Sequence, residues 1–139
     1  MAQGDRRVKS IYYGYGEKDF YFRLDSKELI GDEVIVDFHL PAPVRLRIIR
    51  QGEGWRVNLE KSKDGVAYEQ VDCAAEVAEG KGLQVQLPFS SLGWRREGGE
   101  VSFLVRVVRG GAEVERYPER GLIEFSGPVR ALDMKNWYI

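Results

Sequence analysis

Glu113 and Glu115 stand two residues apart in a run, "AEVERY", that alternates like a strand. Same-face carboxylates on a strand resemble the acid/base pair that glycosidases set across a cleft. The same spacing is ordinary on a solvated strand surface, and that reading is preferred here. Glu115-Arg116-Tyr117-Pro118 reads as a strand end with local ion pairing. His39 is the sole histidine and Cys73 the sole cysteine, short of the nitrogen and sulfur set that zinc needs. Asp25, Asp32, Asp37 and Asp64 could offer oxygens to calcium, but no DxDxDG loop gathers them. Ser90 and Ser91 precede Leu92-Gly93 without the GxSxG elbow of a hydrolase nucleophile. Gly110-Gly111 has no Lys-Ser/Thr pair and no helix after it, so it reads as a hairpin rather than a phosphate loop. No catalytic residue and no cofactor is expected; calcium is the one metal kept as an alternative.

The elements that must hold these residues have a period of two. Val34, Val36, Phe38 and Leu40 alternate with Glu33, Ile35, Asp37 and His39. Val44, Leu46 and Ile48 alternate with Arg45, Arg47 and Ile49; Trp55, Val57 and Leu59 with Arg56, Asn58 and Glu60; Leu83, Val85, Leu87 and Phe89 with Gln84, Gln86 and Pro88. Half-buried strands read this way. Gly-rich turns fall between the runs, at Gly16-Glu17-Lys18-Asp19, Gln51-Gly52-Glu53-Gly54, Lys63-Asp64-Gly65 and Arg109-Gly110-Gly111. Pro41 and Pro43 end a strand. Val101–Val108 adds Leu104 and Val108 to its second face, as a central strand covered on both sides would. Ala74 to Ala78 is ambiguous and too short to stand alone as a helix. About ten short strands with regular turns predict an all-β antiparallel sandwich of jelly-roll or DOMON-like type. Residues 1–9 are expected as a flexible N-terminal arm and residues 10–139 as a single sandwich domain.

The chain has 139 residues and a net charge of −1, enough length for one buried core and no general basic footprint for nucleic acid. Arg45, Arg47, Arg50 and Arg56 cluster locally, as on a solvated face. One cysteine excludes an intramolecular disulfide framework. No apolar run approaches the roughly 18 residues of a membrane span, and the first residues lack a signal-like apolar region. A soluble chain is expected, with the cytoplasm favoured slightly, and no nucleic-acid or membrane partner.

The densest feature is "IYYGYGEKDFYFRLDS", with six aromatic residues in sixteen. Phe20 and Phe22 lie in phase with Leu24 and are expected in the core, as is Phe103. Tyr21 and one or more of Tyr12, Tyr13 and Tyr15 are candidates for an exposed platform, since tyrosine suits a half-wet position. With "LQVQLPFSSLG", "EVERYPERGLIEFSGP" and "NWYI" in the same order, this stretch resembles the C-terminal β-sandwich region of family 57 glycoside hydrolases, the α-amylase and glucanotransferase relatives. More distantly the pattern is similar to family 9 carbohydrate-binding modules and DOMON-like domains. The resemblance implies a non-catalytic accessory module of a carbohydrate-active enzyme. Its partners would be an α-glucan or a catalytic domain of the same parent chain. A DOMON-like likeness would cast His39 and Met134 as haem ligands, without an attachment motif behind them.

Sugars present C–H faces on which flat rings pack, while polar neighbours bind hydroxyls. Trp94 follows a Gly turn and precedes Arg95-Arg96; Trp55 opens a strand; Trp137 lies beside Asn136 and Tyr138. The candidate ligand-binding residues are therefore Trp94, Tyr21, Trp55, Trp137 and Arg95. The competing reading makes each tryptophan a staple at the rim of the sandwich, with periodicity placing Trp55 toward the core. A purely structural domain that docks on a catalytic domain is the alternative function.

Overall fold

The computed structural model describes residues 8–16, 18–26, 32–72, 76–79, 83–93, 99–127 and 135–138. Strands β1 (Val8–Tyr15), β2 (Asp19–Ser26), β7 (Glu76–Glu79), β8 (Leu83–Pro88) and β12 (Lys135–Tyr138) form a five-stranded sheet in the order β12-β1-β2-β8-β7. The second sheet has seven strands: β3 (Glu33–Leu40), β4 (Val44–Gln51), β5 (Gly54–Ser62), β6 (Tyr68–Val71), β9 (Gly99–Arg109), β10 (Ala112–Tyr117) and β11 (Ile123–Gly127). Its order is β10-β9-β3-β4-β5-β6, with β11 also paired to β9. All pairings are antiparallel. β10 takes one end of β9 and β11 the other, while β3 pairs with β9 as well. The fold is the all-β sandwich that the alternation predicts.

Alternation decides which side chains meet between the sheets. From the five-stranded sheet come Ile11, Tyr13, Phe20, Phe22, Leu24, Leu83, Val85 and Leu87. From the seven-stranded sheet come Val34, Val36, Phe38, Leu46, Ile48, Leu59, Val101, Phe103, Val105 and Val107. The opening stretch's aromatic density is spent mostly here. Phe20 meets Phe38 edge-on with centroids 5.4 Å apart, meets Phe103 at 5.7 Å, and stacks on Phe125 at 6.0 Å. Tyr13 lies 5.5 Å from Phe103 and 5.2 Å from Phe125. One aromatic cluster thus joins β1 and β2 to β3, β9 and β11. Each such ring contributes about 1.5–3 kcal/mol by leaving water. Phe22 and Phe103 are fully buried, as their phase predicts.

Among the described residues, Glu115 makes a polar contact in the interior. Glu115 is only 5% exposed and accepts hydrogen bonds from the Tyr117 hydroxyl and, at 3.4 Å, from the Val8 N–H. It ties the start of β1 in one sheet to β10 in the other.

Among the described residues three registers shift at bulges, one of them in β1 between Val8 and Ser10, and the other two change faces expected from the alternation. The β3–β9 register shifts between Phe38 and Leu40, so His39 is the extra residue. Leu40, expected on the core face with Phe38, therefore faces outward and is 45% exposed. The β10–β9 register shifts between Glu113 and Glu115. Glu113 sits opposite Val108 and Glu115 opposite Val107, so the two carboxylates point to opposite faces. The same-face glutamate pair weighed from the sequence does not form. β1 begins at Val8, a buried residue two places inside the stretch expected as an arm. Within the ambiguous Ala74 to Ala78 stretch, Glu76–Ala78 is extended and belongs to β7. Gly93 closes the 3-10 turn of Phe89–Leu92 at φ 76°, and Gly110 and Gly111 turn β9 into β10 at φ 61° and 81°, angles that favour glycine.

Candidate functional site

The outer face of the five-stranded sheet carries planar and hydrogen-bonding side chains in two rows. Register places Tyr12 opposite Arg23, and Arg23 opposite Gln84. One step along the strands it places Gly14 opposite Tyr21, and Tyr21 opposite Gln86. Residues paired this way share a face, with rows about 6.5–7 Å apart along the strands. Tyr12, Tyr21, Arg23 and Asp25 are half-buried; Gln84 and Gln86 are exposed.

Local contacts fix these groups. The Arg23 guanidinium lies 4.0 Å from the Tyr12 ring centroid, over its face. Its Nε is 3.2 Å from Asp25 Oδ1, and a terminal nitrogen donates to Asp25 Oδ2 at 3.3 Å. A ring, a cation and a carboxylate are thereby held in series. Tyr21 lies against Gly16: a Cβ on that glycine would stand 3.6 Å from the ring's Cε2. Gln86 Nε2 donates to Asp19 Oδ2 at 2.9 Å, which orients the amide. The result is a sheet face with tyrosine rings, amides that both donate and accept, an Arg–Asp pair and the Asp19 carboxylate.

The outer face of the seven-stranded sheet is different. Arg47 donates to Glu33 at 2.8 Å and to Glu60 at 3.1 Å. Burial lowers the affinity of this guanidinium for its proton, but the two carboxylates outweigh burial and hold its pKa above the ordinary value. Arg106 donates to Asp37 at 3.1 Å, Arg45 lies 3.5 Å from the same carboxylate, and Arg45 also stacks on Tyr68 at 4.0 Å. Ile35 stands between Arg47 and Arg106 in register and is 3% exposed. The aliphatic stems of those arginines cover it while their heads reach the carboxylates. In this part of the face Arg45, Arg47 and Arg106 are paired with Asp37, Glu33 and Glu60.

Of the sequence-picked residues, Tyr21 and Trp55 are not brought together. Tyr21 is on the outer face of the five-stranded sheet. Trp55 faces the other way, half-buried, packed against the core at the end of β5 with the Arg50 guanidinium 5.2 Å from its ring. Trp137 stands opposite Ile11 in the β1–β12 register. Trp94 and Arg95 lie outside the described residues, as do Cys73 and Met134. Of the arginine cluster, Arg45 and Arg47 face outward with acidic partners, Arg56 is exposed, and Arg50 faces inward beside Trp55.

The remaining chemical candidates are dispersed. Asp25 pairs with Arg23, and Asp32 accepts from the Gly110 N–H at 2.7 Å. Asp37 holds two arginines. Asp64 caps its own loop, accepting from the Val66 and Ala67 N–H groups and from the Ser62 hydroxyl. Those bonds lower the Asp64 pKa below its ordinary value. Among the described residues, no three His, Cys, Asp or Glu side chains gather as a metal site would require. Among the same residues, no helix is long and apolar enough to cross a membrane.

Tyr12 is among the platform candidates read from the sequence; Arg23, Gln84 and Gln86 are not singled out there as ligand residues. Their signal exists in the alternation, as the polar phase of "FYFRLD" and of "LQVQLP". It becomes a surface only once β2 pairs with β8, bringing together residues such as Asp19 and Gln86, 67 positions apart. Comparison with protein-family models, with curated proteins and with solved structures finds no match to this chain.

Proposed function

We propose that this chain is a non-catalytic carbohydrate-binding module, an accessory part of a carbohydrate-active enzyme, and that it binds glucan on the outer face of the five-stranded sheet. The observation that carries this reading is the pair of rows Tyr12–Arg23–Gln84 and Tyr21–Gln86 on one sheet face. Sugar rings present C–H faces to tyrosine, and their hydroxyls both donate and accept, which suits glutamine amides and an Arg–Asp pair. The glucan itself is suggested by the likeness to the C-terminal sandwich of family 57 glycoside hydrolases. A module that only docks on a catalytic domain needs a contiguous apolar patch. Among the described residues, the exposed large apolar side chains are Leu40 and Val66, one on β3 and one in the β5–β6 loop.

Titration of the chain with maltooligosaccharides, preceded by a glycan array, tests the reading. Millimolar binding is expected, because few contacts must offset the freedom lost by both partners. Tyr21→Ala should weaken it by about tenfold, or about 1.4 kcal/mol, with the melting temperature nearly unchanged. No binding to any glycan at millimolar concentration, or full binding by Tyr21→Ala, would remove the site.

A further inference from the structure

At the far end of the seven-stranded sheet's outer face, β9, β11 and the end of β3 enclose a recess of about 200 Å³. Its lining includes Leu40, Glu100, Ser102, Glu124 and Ser126. Register explains the gathering. Ser102 pairs with Glu124 and with Leu40, and Glu100 pairs with Ser126, so these side chains share one face. Glu100 and Glu124 are diagonal neighbours on adjacent strands, close enough for one small cation to meet both. Both are exposed. The His39 bulge is what brings Leu40 to this side, where it forms an apolar wall.

The foot of the recess holds an unsatisfied group. Ser102 is 2% exposed, and its hydroxyl has no hydrogen-bond partner. A buried hydroxyl without a partner costs stability unless something completes it. It points to the same side as the two carboxylates, because its register partners do.

We infer that this recess binds an alkylammonium group, the head of a lysine side chain or of a free aliphatic diamine. The ammonium has three donors and no acceptor. Glu100, Glu124 and the Ser102 oxygen are acceptors, and Leu40 packs on the methylene stem. A divalent metal fits less well: calcium takes six or more oxygens, and two carboxylates with one hydroxyl leave most of that shell unfilled. This site is separate from the glucan face and does not depend on that reading.

The test is calorimetric titration of the full chain with 1,5-diaminopentane, with a lysine-containing peptide blocked at both ends, with 1,5-pentanediol and with calcium. Binding of diamine and peptide, and not of the diol, is the expected result. Binding of the peptide alone would assign the group to a protein partner, and of the diamine alone to a free polyamine; either supports the class. The Glu100→Gln/Glu124→Gln pair should lose affinity by about tenfold or more, and Ser102→Ala should weaken it less. Both glutamates are exposed, so their replacement leaves the melt intact. No diamine or peptide binding at millimolar concentration, equal binding of the diol, unchanged affinity in the double variant, or calcium binding tighter than the diamine would each overturn the assignment.

Discussion

The two outer faces of this sandwich are built from similar residue types and do opposite things with them. On the seven-stranded sheet, Arg45, Arg47 and Arg106 are matched by Asp37, Glu33 and Glu60, with Ile35 sealed beneath. On the five-stranded sheet, the described residues place the Arg23–Asp25 pair and Asp19 among half-buried tyrosines and exposed glutamines. A lattice of mutual ion pairs leaves little for a neutral ligand, which would have to break strong charge-assisted bonds to gain weaker ones. Rings and amides ask for no such exchange. Charge content alone does not tell a binding surface from a self-satisfied one; the register of partners does.

The largest effect expected is one that strikes both faces together. Phe103 touches Tyr13, Phe20 and Phe38, and so supports both sheets. Phe103→Ala should destabilise the fold by about 3–5 kcal/mol in urea unfolding. A midpoint close to that of the unaltered chain would show that the core does not unite the sheets. A smaller and one-sided effect is expected for Asp37→Asn. It removes the carboxylate shared by Arg45 and Arg106, a loss of about 1–3 kcal/mol for hydrogen bonds to charged groups. Glycan affinity on the opposite sheet should not change. If it falls with stability, the two faces are coupled and the contrast between them fails.

The smallest effect concerns acid. Hydrogen bonds from Val66, Ala67 and Ser62 lower the Asp64 pKa in the folded chain below the reference value of 3.8. Its contribution is therefore complete above that value and is lost as pH falls through the folded pKa. Amide shifts of Val66 and Ala67 should titrate together with a midpoint below 3.8. A midpoint at or above the reference value would mean that the cap does not hold the loop in solution.

The layers of this fold are legible in the chain because alternation is a local property. Phe20, Phe22, Leu46, Leu59 and Phe103 each declare their face within three or four residues. The bulges are not legible in that way. Nothing near His39 or Val114 announces an extra residue, since a bulge is a mismatch between two strands and only the pair defines it. Leu40 and Glu115 were consequently assigned to the wrong faces. The candidate surface fails to show for a related reason. Tyr21 is visible as an aromatic residue out of phase with the core, but Gln84 and Gln86 acquire meaning only beside β2. Tryptophan drew attention as the largest ring, yet Trp55 packs against the core under Arg50, where its size fills space.

The hydrogen bond from the Val8 N–H to Glu115 spans 107 positions of sequence. Seen in time rather than space, it sets a schedule. As the chain leaves the ribosome, the leading amide of β1 emerges well before its acceptor and waits 107 positions for it. Water serves that amide in the interval, while β3, β4 and β5 can already pair as neighbours. The clasp between the sheets closes only after Glu115 has emerged, with Tyr117 two residues later to hold the carboxylate in place.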